Sequence, residues 1–230
     1  MDTTAGFQAR ADAVRRTIEE ACMRSGRSPA EVRLVGVTKT VGADAIPALL
    51  DAGVRDFGEN RWQHARDLLQ SPRANEATWH FIGHLQTNKV KYVVRHFDWL
   101  HSLDSPELAQ ALSRQAVQWD RSLNVLIQVN VSGEQTKSGV PPCEVIPLLR
   151  AVVGLPGIAV RGLMTMAPKV NHPEEARPIF RQLRTLLQEA RGDLGLPDLT
   201  ELSMGMSEDF AVAVEEGATL VRVGRMLMGT

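Results

Sequence analysis

Residues 32–40 read VRLVGVTKT. A β-branched apolar run with Gly36 inside it, closed by threonines and followed by Gly42, has the length and composition of a buried strand, expected here over 32–38. Lys39 falls where that strand emerges. An ammonium in a low-dielectric interior must find a partner or give up its proton. A lysine at this point is therefore either a strand-end side chain reaching for solvent or a primary amine placed for Schiff-base chemistry with a carbonyl. The stretch alone leaves both open.

Outward from it, the pattern alternates. Upstream, residues 7–25 carry Val14, Ile18, Ala21 and Cys22 at helical spacing and end in the breaker SGRSP, which predicts an N-terminal helix. Downstream, helices are expected over 43–52, 59–69, 86–95, 106–119, 142–153, 173–191 and 208–216, and strands over 54–57, 79–83, 99–103, 123–131, 158–163, 199–203 and 219–223. A polar loop, SGEQTKSG, follows the fifth strand at 132–139. Strands alternating with helices imply an α/β fold with a parallel sheet, and eight such units close a (β/α)8 TIM-type barrel. The eighth strand is expected to lack its helix because the chain stops at Thr230, the N-terminal helix covering part of that gap. No linker or charge run divides the chain, so one domain over 1–230 is expected. A doubly wound open sheet competes, but no GxGxxG opens the first βα turn.

Composition narrows the functional classes. With 230 residues, 43% hydrophobic and 23% charged, this is the make-up of an ordinary soluble protein, and a net charge of −1 argues against a sequence-independent grip on nucleic acid. Cys22 and Cys143 lie far apart with no Cys/His ligand spacing, so neither a disulfide framework nor a metal site is expected. No apolar run approaches bilayer length and no signal-peptide core opens the chain, which makes the cytoplasm the expected location, without a membrane partner.

In such a barrel the chemistry collects at the carboxyl ends of the strands, and phosphates lodge after strands seven and eight. Strand seven runs into SMGMS at 203–207, whose Ser203 and Ser207 and glycine could offer an anion hydroxyls and backbone N–H groups at a helix start; Ser207 could equally be a plain N-cap. Glu208 and Asp209 would repel a phosphate, and Arg225 in the next loop is the compensating charge to expect. Strands seven, eight and one become neighbours on closure, which places this anion site beside Lys39. That conjunction fits pyridoxal 5′-phosphate, whose aldehyde needs a lysine and whose phosphate needs a nest of donors. Arg222, inside the apolar strand LVRVG, needs a partner: the cofactor's pyridine nitrogen, or Glu201 in a structural ion pair.

With these residues in place, the chain resembles the pyridoxal-phosphate homeostasis proteins, the YggS/PROSC (PLPBP) family. The matching segments are VGVTKT (35–40), FGENR (57–61), WHFIGHLQTNK (79–89), HSLDS (101–105), QVNVSGEQTKSG (128–139), RGLMTMAP (161–168), LSMGMSEDF (202–210) and VRVGRMLMG (221–229). They run in order across nearly the whole chain. The resemblance implies a barrel similar to the N-terminal domain of alanine racemase, with the cofactor in a Schiff base on Lys39. It places the phosphate on Ser203, Ser207 and the backbone at Gly224 and Arg225, Arg222 at the pyridine nitrogen, and Asn60 and Met164 near the ring. Lys137 matches a second family lysine, a possible secondary cofactor site. Two departures stand out: His84 where a proline is common, and Arg225 and Met228 where threonine and phenylalanine are often found.

Whether such a protein is an enzyme turns on its proton-transfer groups. Racemases of this barrel type use a tyrosine from a second domain, and here the single tyrosine, Tyr92, falls inside the helix after strand three. The expectation is therefore a monomeric, non-catalytic binding protein that buffers, protects and delivers the cofactor, with apo forms of pyridoxal-phosphate enzymes as recipients. The alternatives are a monomeric racemase-like enzyme and, with less for Arg222 to do, a cofactor-free Schiff-base aldolase.

Overall fold

The computed structural model describes residues 4–134 and 137–229. Among them, eight strands pair side by side into a closed parallel barrel in sequence order: β1 Arg33–Val37, β2 Asp56–Glu59, β3 Thr78–Phe81, β4 Trp99–Leu103, β5 Leu123–Gln128, β6 Ile158–Met164, β7 Glu201–Ser203 and β8 Leu220–Val223. The helices between them are α2 Ala45–Asp51, α3 Trp62–Leu68, α4 Val90–His96, α5 Pro106–Gln118, α6 Val145–Val152, α7 Arg177–Leu194 and α8 Phe210–Glu215. α1, Thr4–Ser25, precedes β1. The α/β (β/α)8 barrel expected from the alternation is what forms.

Two apolar groups hold it. The larger lies between barrel and helices, where α7 buries Phe180, Leu183, Leu186, Leu187 and Ala190, and α1 buries Phe7, Ala11, Val14 and Ile18 at the three- and four-residue spacing of a helix face. The smaller fills the lumen with one residue each from five strands: Val35, Trp99, Leu126, Met164 and Leu220. α5 shows local encoding at its clearest: Ser105 caps it by accepting from the Leu108 N–H at 3.2 Å, and Pro106 opens the first turn.

The barrel departs from regular pairing at β6. Val125 is paired with Val160 but Leu126 with Gly162, so β6 carries one extra residue, a bulge at Arg161. There the backbones of β6 and β7 close in: a Cβ on Gly162 would sit 1.8 Å from the Glu201 carbonyl oxygen.

The differences from the sequence reading have local causes. Glu59 belongs to β2 rather than to the following helix, because its carbonyl accepts from the Ile82 N–H at 2.8 Å and extends the ladder. β5 stops at Gln128 instead of 131, since Asn130 turns the chain, its Oδ1 accepting from Ser132 Oγ and the Gly133 N–H. The helices expected from 86, 142 and 173 each begin as a 3-10 turn. The loop at 132–139 contains Gln135 and Thr136, which lie outside the described residues. A helix does follow β8: one turn, α9 Arg225–Met228. α1 packs against α2, α8 and α9 and donates from Arg10 Nε to the Leu227 carbonyl at 2.8 Å, which covers the gap that so short a helix leaves.

Candidate functional site

Lys39 lies two residues past the end of β1 and is exposed at the carboxyl rim. It makes no hydrogen bond or ion pair among the described residues. The residue beneath it is fixed: Thr38 is buried, donates its N–H to Gly58 O at 3.2 Å and its hydroxyl to Glu59 Oε1 at 2.5 Å. The strand end is thus tied to β2 while the amine stays unengaged.

Glu59 is a fully buried carboxyl. His64 Nδ1 approaches its Oε2 to 3.1 Å, though not in hydrogen-bonding geometry. Burial raises its pKa above the ordinary 4.5, more than Thr38 and His64 lower it. The folded chain thus holds this proton to higher pH than the unfolded chain does, so the contribution is full below 4.5 and lost as pH rises through the folded value. Glu59→Gln keeps an acceptor for Thr38 without the charge. Denaturant titration should find it more stable than the parent by about 1 kcal/mol at about pH 8 and equal to it at about pH 4; a gain of the same size at both would remove the charge from the explanation.

Ser203, the last residue of β7, and Arg222, in β8, meet inside the barrel. Arg222 Nη1 donates to Ser203 Oγ at 2.5 Å and Nη2 to the Thr165 carbonyl at 2.9 Å. Arg222 is 4% exposed, and burial lowers its pKa to about 10, opposed by Asp209, so it stays a cation at neutral pH. Of its five N–H groups three remain for another acceptor. The ion pair with Glu201 does not form, since Glu201 pairs with Arg33 at 3.0 Å and accepts from Thr219 Oγ1 at 2.6 Å.

The next loops differ from a simple helix-start anion site. α8 starts only at Phe210, so Ser207 is not its N-cap; Ser207 Oγ accepts from the Gly224 N–H at 3.3 Å and ties loop seven to loop eight. Asp209 receives the Met206 N–H at 2.6 Å. The guanidinium of Arg225 is engaged by Glu208 at 2.6 Å on the surface and the Gly224 N–H by Ser207, which leaves the backbone N–H of Arg225 as the unengaged donor there among the described residues. Closure brings this loop to Lys39: β8 pairs with β1, Val35 opposite Arg222, and a Cβ on Gly224 would lie 3.5 Å from that of Val37.

The other expected residues take separate positions on the same rim. Met164 is buried in the lumen, opposite Ser203 across the β6–β7 pair. Asn60 is exposed after β2, and its backbone is so close to Gly83 that a Cβ there would sit 2.3 Å from Asn60 O. Lys137 reaches from the loop after β5 to the loop after β6, donating to Ala167 O at 2.8 Å and Met166 O at 3.4 Å. His84 lies 3.9 Å from Asp104 on the open rim.

One constellation escaped the sequence reading. His80 in β3 and His101 in β4 are fully buried and hydrogen bonded, Nδ1 to Nε2 at 2.9 Å. His80 Nε2 contacts Asp56 Oδ1 at 2.9 Å, and His101 Nδ1 contacts Ser203 Oγ at 2.8 Å. An imidazole inside a buried strand must be satisfied by a neighbour, and histidines in two adjacent apolar strands were the available signal. Among the described residues no group of His, Cys, Asp and Glu could hold a metal ion, and no helix is long and apolar enough to cross a membrane.

Residues 10–230 match the family model for the alanine racemase N-terminal domain. The chain is similar to the pyridoxal phosphate homeostasis protein of Aquifex aeolicus, 43% identical over 212 residues, 92% of each chain. It is also similar to the protein of that name from Escherichia coli, 40% identical over 223 residues, 94% of this chain and 93% of the other. PipY of Synechococcus elongatus, solved with PLP bound, superposes with a TM-score of 0.80 at 39% identity, covering 92% of this chain and all of that one.

Proposed function

Because the chain belongs to the alanine racemase N-terminal domain family, and to the pyridoxal phosphate homeostasis proteins within its relatives, we propose that it binds pyridoxal 5′-phosphate reversibly, buffering and delivering the cofactor without catalysis of its own. The observation that carries this reading is the buried Arg222–Ser203 pair, a cation with no carboxylate hydrogen bonded to it among the described residues, on β8 and β7, of which β8 pairs with β1, the strand just before the unengaged amine of Lys39. When bound, the cofactor supplies an aldehyde that condenses reversibly with a primary amine.

This chain's residues have the following parts. Lys39 gives the amine. Ser203, Ser207 and the backbone at Gly224 and Arg225 hold the phosphate, and the exposed Arg225 side chain adds little. Arg222 turns its remaining N–H groups to the pyridine nitrogen; being a donor only, it cannot protonate that nitrogen at no cost, which keeps the ring a weak electron sink. Asn60 and Met164 flank the ring, and Lys137 stands by as a secondary site on the way out. The one tyrosine, Tyr92, stacks on Trp62 at 4.8 Å in the helix layer, away from the strand-end position from which a tyrosine would act as a second base opposite Lys39. The protein acts in the cytoplasm as a monomer, with apo enzymes as recipients.

Borohydride reduction of protein incubated with the cofactor, followed by peptide mass spectrometry, tests the reading. The expected product is a pyridoxyl group on the peptide containing Lys39; an unmodified Lys39 would sink it, and substantial turnover of an L- or D-amino acid would overturn the carrier role.

A further inference from the structure

With both imidazoles neutral, the Asp56 carboxylate at one end, which only accepts, and Arg222 at the other, which only donates, fix the direction of every hydrogen bond in the buried row that begins at Ser203. A guanidinium only donates, so Ser203 Oγ accepts from Arg222 Nη1 and keeps one proton and one lone pair. The proton goes to His101 Nδ1. His101 then carries its proton on Nε2 and gives it to His80 Nδ1, and His80 carries its own on Nε2 and gives it to Asp56. Every contact has one donor and one acceptor, both imidazoles are neutral, and the Asp56 carboxylate ends the row.

That arrangement leaves Ser203 no hydroxyl proton for a ligand. If the hydroxyl turns to an anion on the rim, its oxygen must be supplied from His101 instead. His101 Nδ1 then needs a proton, its Nε2 becomes an acceptor, and His80 must donate from Nδ1. The contact with Asp56 still requires one proton between the two groups. The turned row holds one proton more than the original, as imidazolium with carboxylate or as neutral imidazole with carboxylic acid; the count is the same.

Resting on the phosphate position proposed above, we propose that His101 and His80 position the Ser203 hydroxyl, and that anion binding there takes up one proton from solvent into the Asp56–His80–His101 row. The route for that proton lies on the opposite face. Asp56 lines a cavity of about 420 Å³ at the amino ends of the strands, together with Arg15, Glu19 and Arg55, so the row opens away from the cofactor rim. The charged groups around it are Arg33 on β1, Asp98 before β4, and Arg222 on β8 with Asp209 beside it; Trp99 stacks on His80 at 5.7 Å. Burial holds both imidazoles below the ordinary 6.5, helped at His101 by His80 and Arg222, so the free row lacks the extra proton through neutral pH.

The sign follows: binding that consumes a proton weakens as pH rises. Sulfate is the probe, a dianion with no proton to exchange near neutrality. Calorimetry in buffers of different ionisation enthalpy should show uptake of about one proton per sulfate, with affinity falling about tenfold per pH unit above 6.5. His101→Phe should bind sulfate more weakly and with no proton uptake. Should that variant not fold, ¹⁵N spectra of the parent decide: both buried histidines protonated on Nε2 alone when free, and both carrying a proton on Nδ1 with sulfate; Nδ1 left bare in both with sulfate bound would overturn the row's role. Sulfate binding that is abolished by Ser203→Ala yet takes up no proton would overturn the row's role and leave the phosphate position standing. Sulfate binding absent from the parent, or unaffected by Ser203→Ala, would overturn the phosphate position and the row's role with it.

Discussion

Replacing Lys39 with alanine is expected to reduce the borohydride-trapped pyridoxyl adduct to background while changing Tm by no more than about 2 °C. The two halves have separate causes. Lys39 is exposed and has neither hydrogen bond nor ion pair among the described residues, so its removal breaks nothing in the fold. What anchors the strand end is Thr38, through Gly58 and Glu59, and the substitution leaves that in place. The trapped bond, by contrast, needs a primary amine where the loops after β7 and β8 can hold the other end of the ligand. Lys39→Arg keeps the charge and removes the nucleophile, and should match alanine in the trapping assay. The chain has four other lysines, and Lys137 is engaged by two carbonyls. A weak adduct surviving on Lys137 alone would identify the secondary site; an undiminished adduct in Lys39→Ala would remove Lys39 from the chemistry.

Gly162→Ala is expected to cost about 3 kcal/mol or more, lowering Tm by roughly 10 °C for a chain of this size. The added methyl would overlap the Glu201 carbonyl, 1.8 Å from the position of its carbon. That oxygen belongs to the backbone of β7, so the clash is relieved only by parting β6 from β7, the pair that sets Met164 opposite Ser203. Gly192 in α7 provides the contrast, because a Cβ there meets nothing within 4 Å. Gly192→Ala should raise stability by about 0.5–1 kcal/mol through helix propensity. Thermal melts of the two variants measure both; equal Tm values would show that the β6–β7 contact yields at little cost.

The residues that could be read from the sequence were those that violate their local surroundings. Lys39 and Arg222 are charges in apolar strands, and Ser203 and Gly224 are small residues where strands end, so each stood out alone. Strand order followed from alternation, since each apolar run reappears after a helix. What depends on a distant partner did not show. Ser207 looks like a helix cap until Gly224 is placed against it, and Arg225 looks available for a phosphate until Glu208 takes it. His80 and His101 sit 21 residues apart, each the unremarked centre of an apolar strand, and only the register of β3 beside β4 makes them a pair. The end of β5 was misplaced for a similar reason: alternation continues through Val129 and Val131, while the side chain of Asn130 is already turning the backbone.

The bulge at Arg161 has a further meaning for anyone altering this strand. Successive residues of a strand face opposite ways, so one extra residue inverts every position after it. Val160 packs outward against the helices; an unbroken alternation from there would send Met164 outward as well and bring Leu163 into the lumen. The insertion reverses this parity. Side-chain identity at 161 is thus of less consequence than how the strand pairs between 160 and 164: deleting the extra residue would leave Met164 in the lumen by plain alternation, whereas ironing out the bulge at the present length would exchange the lining of the site for the lining of the helix layer.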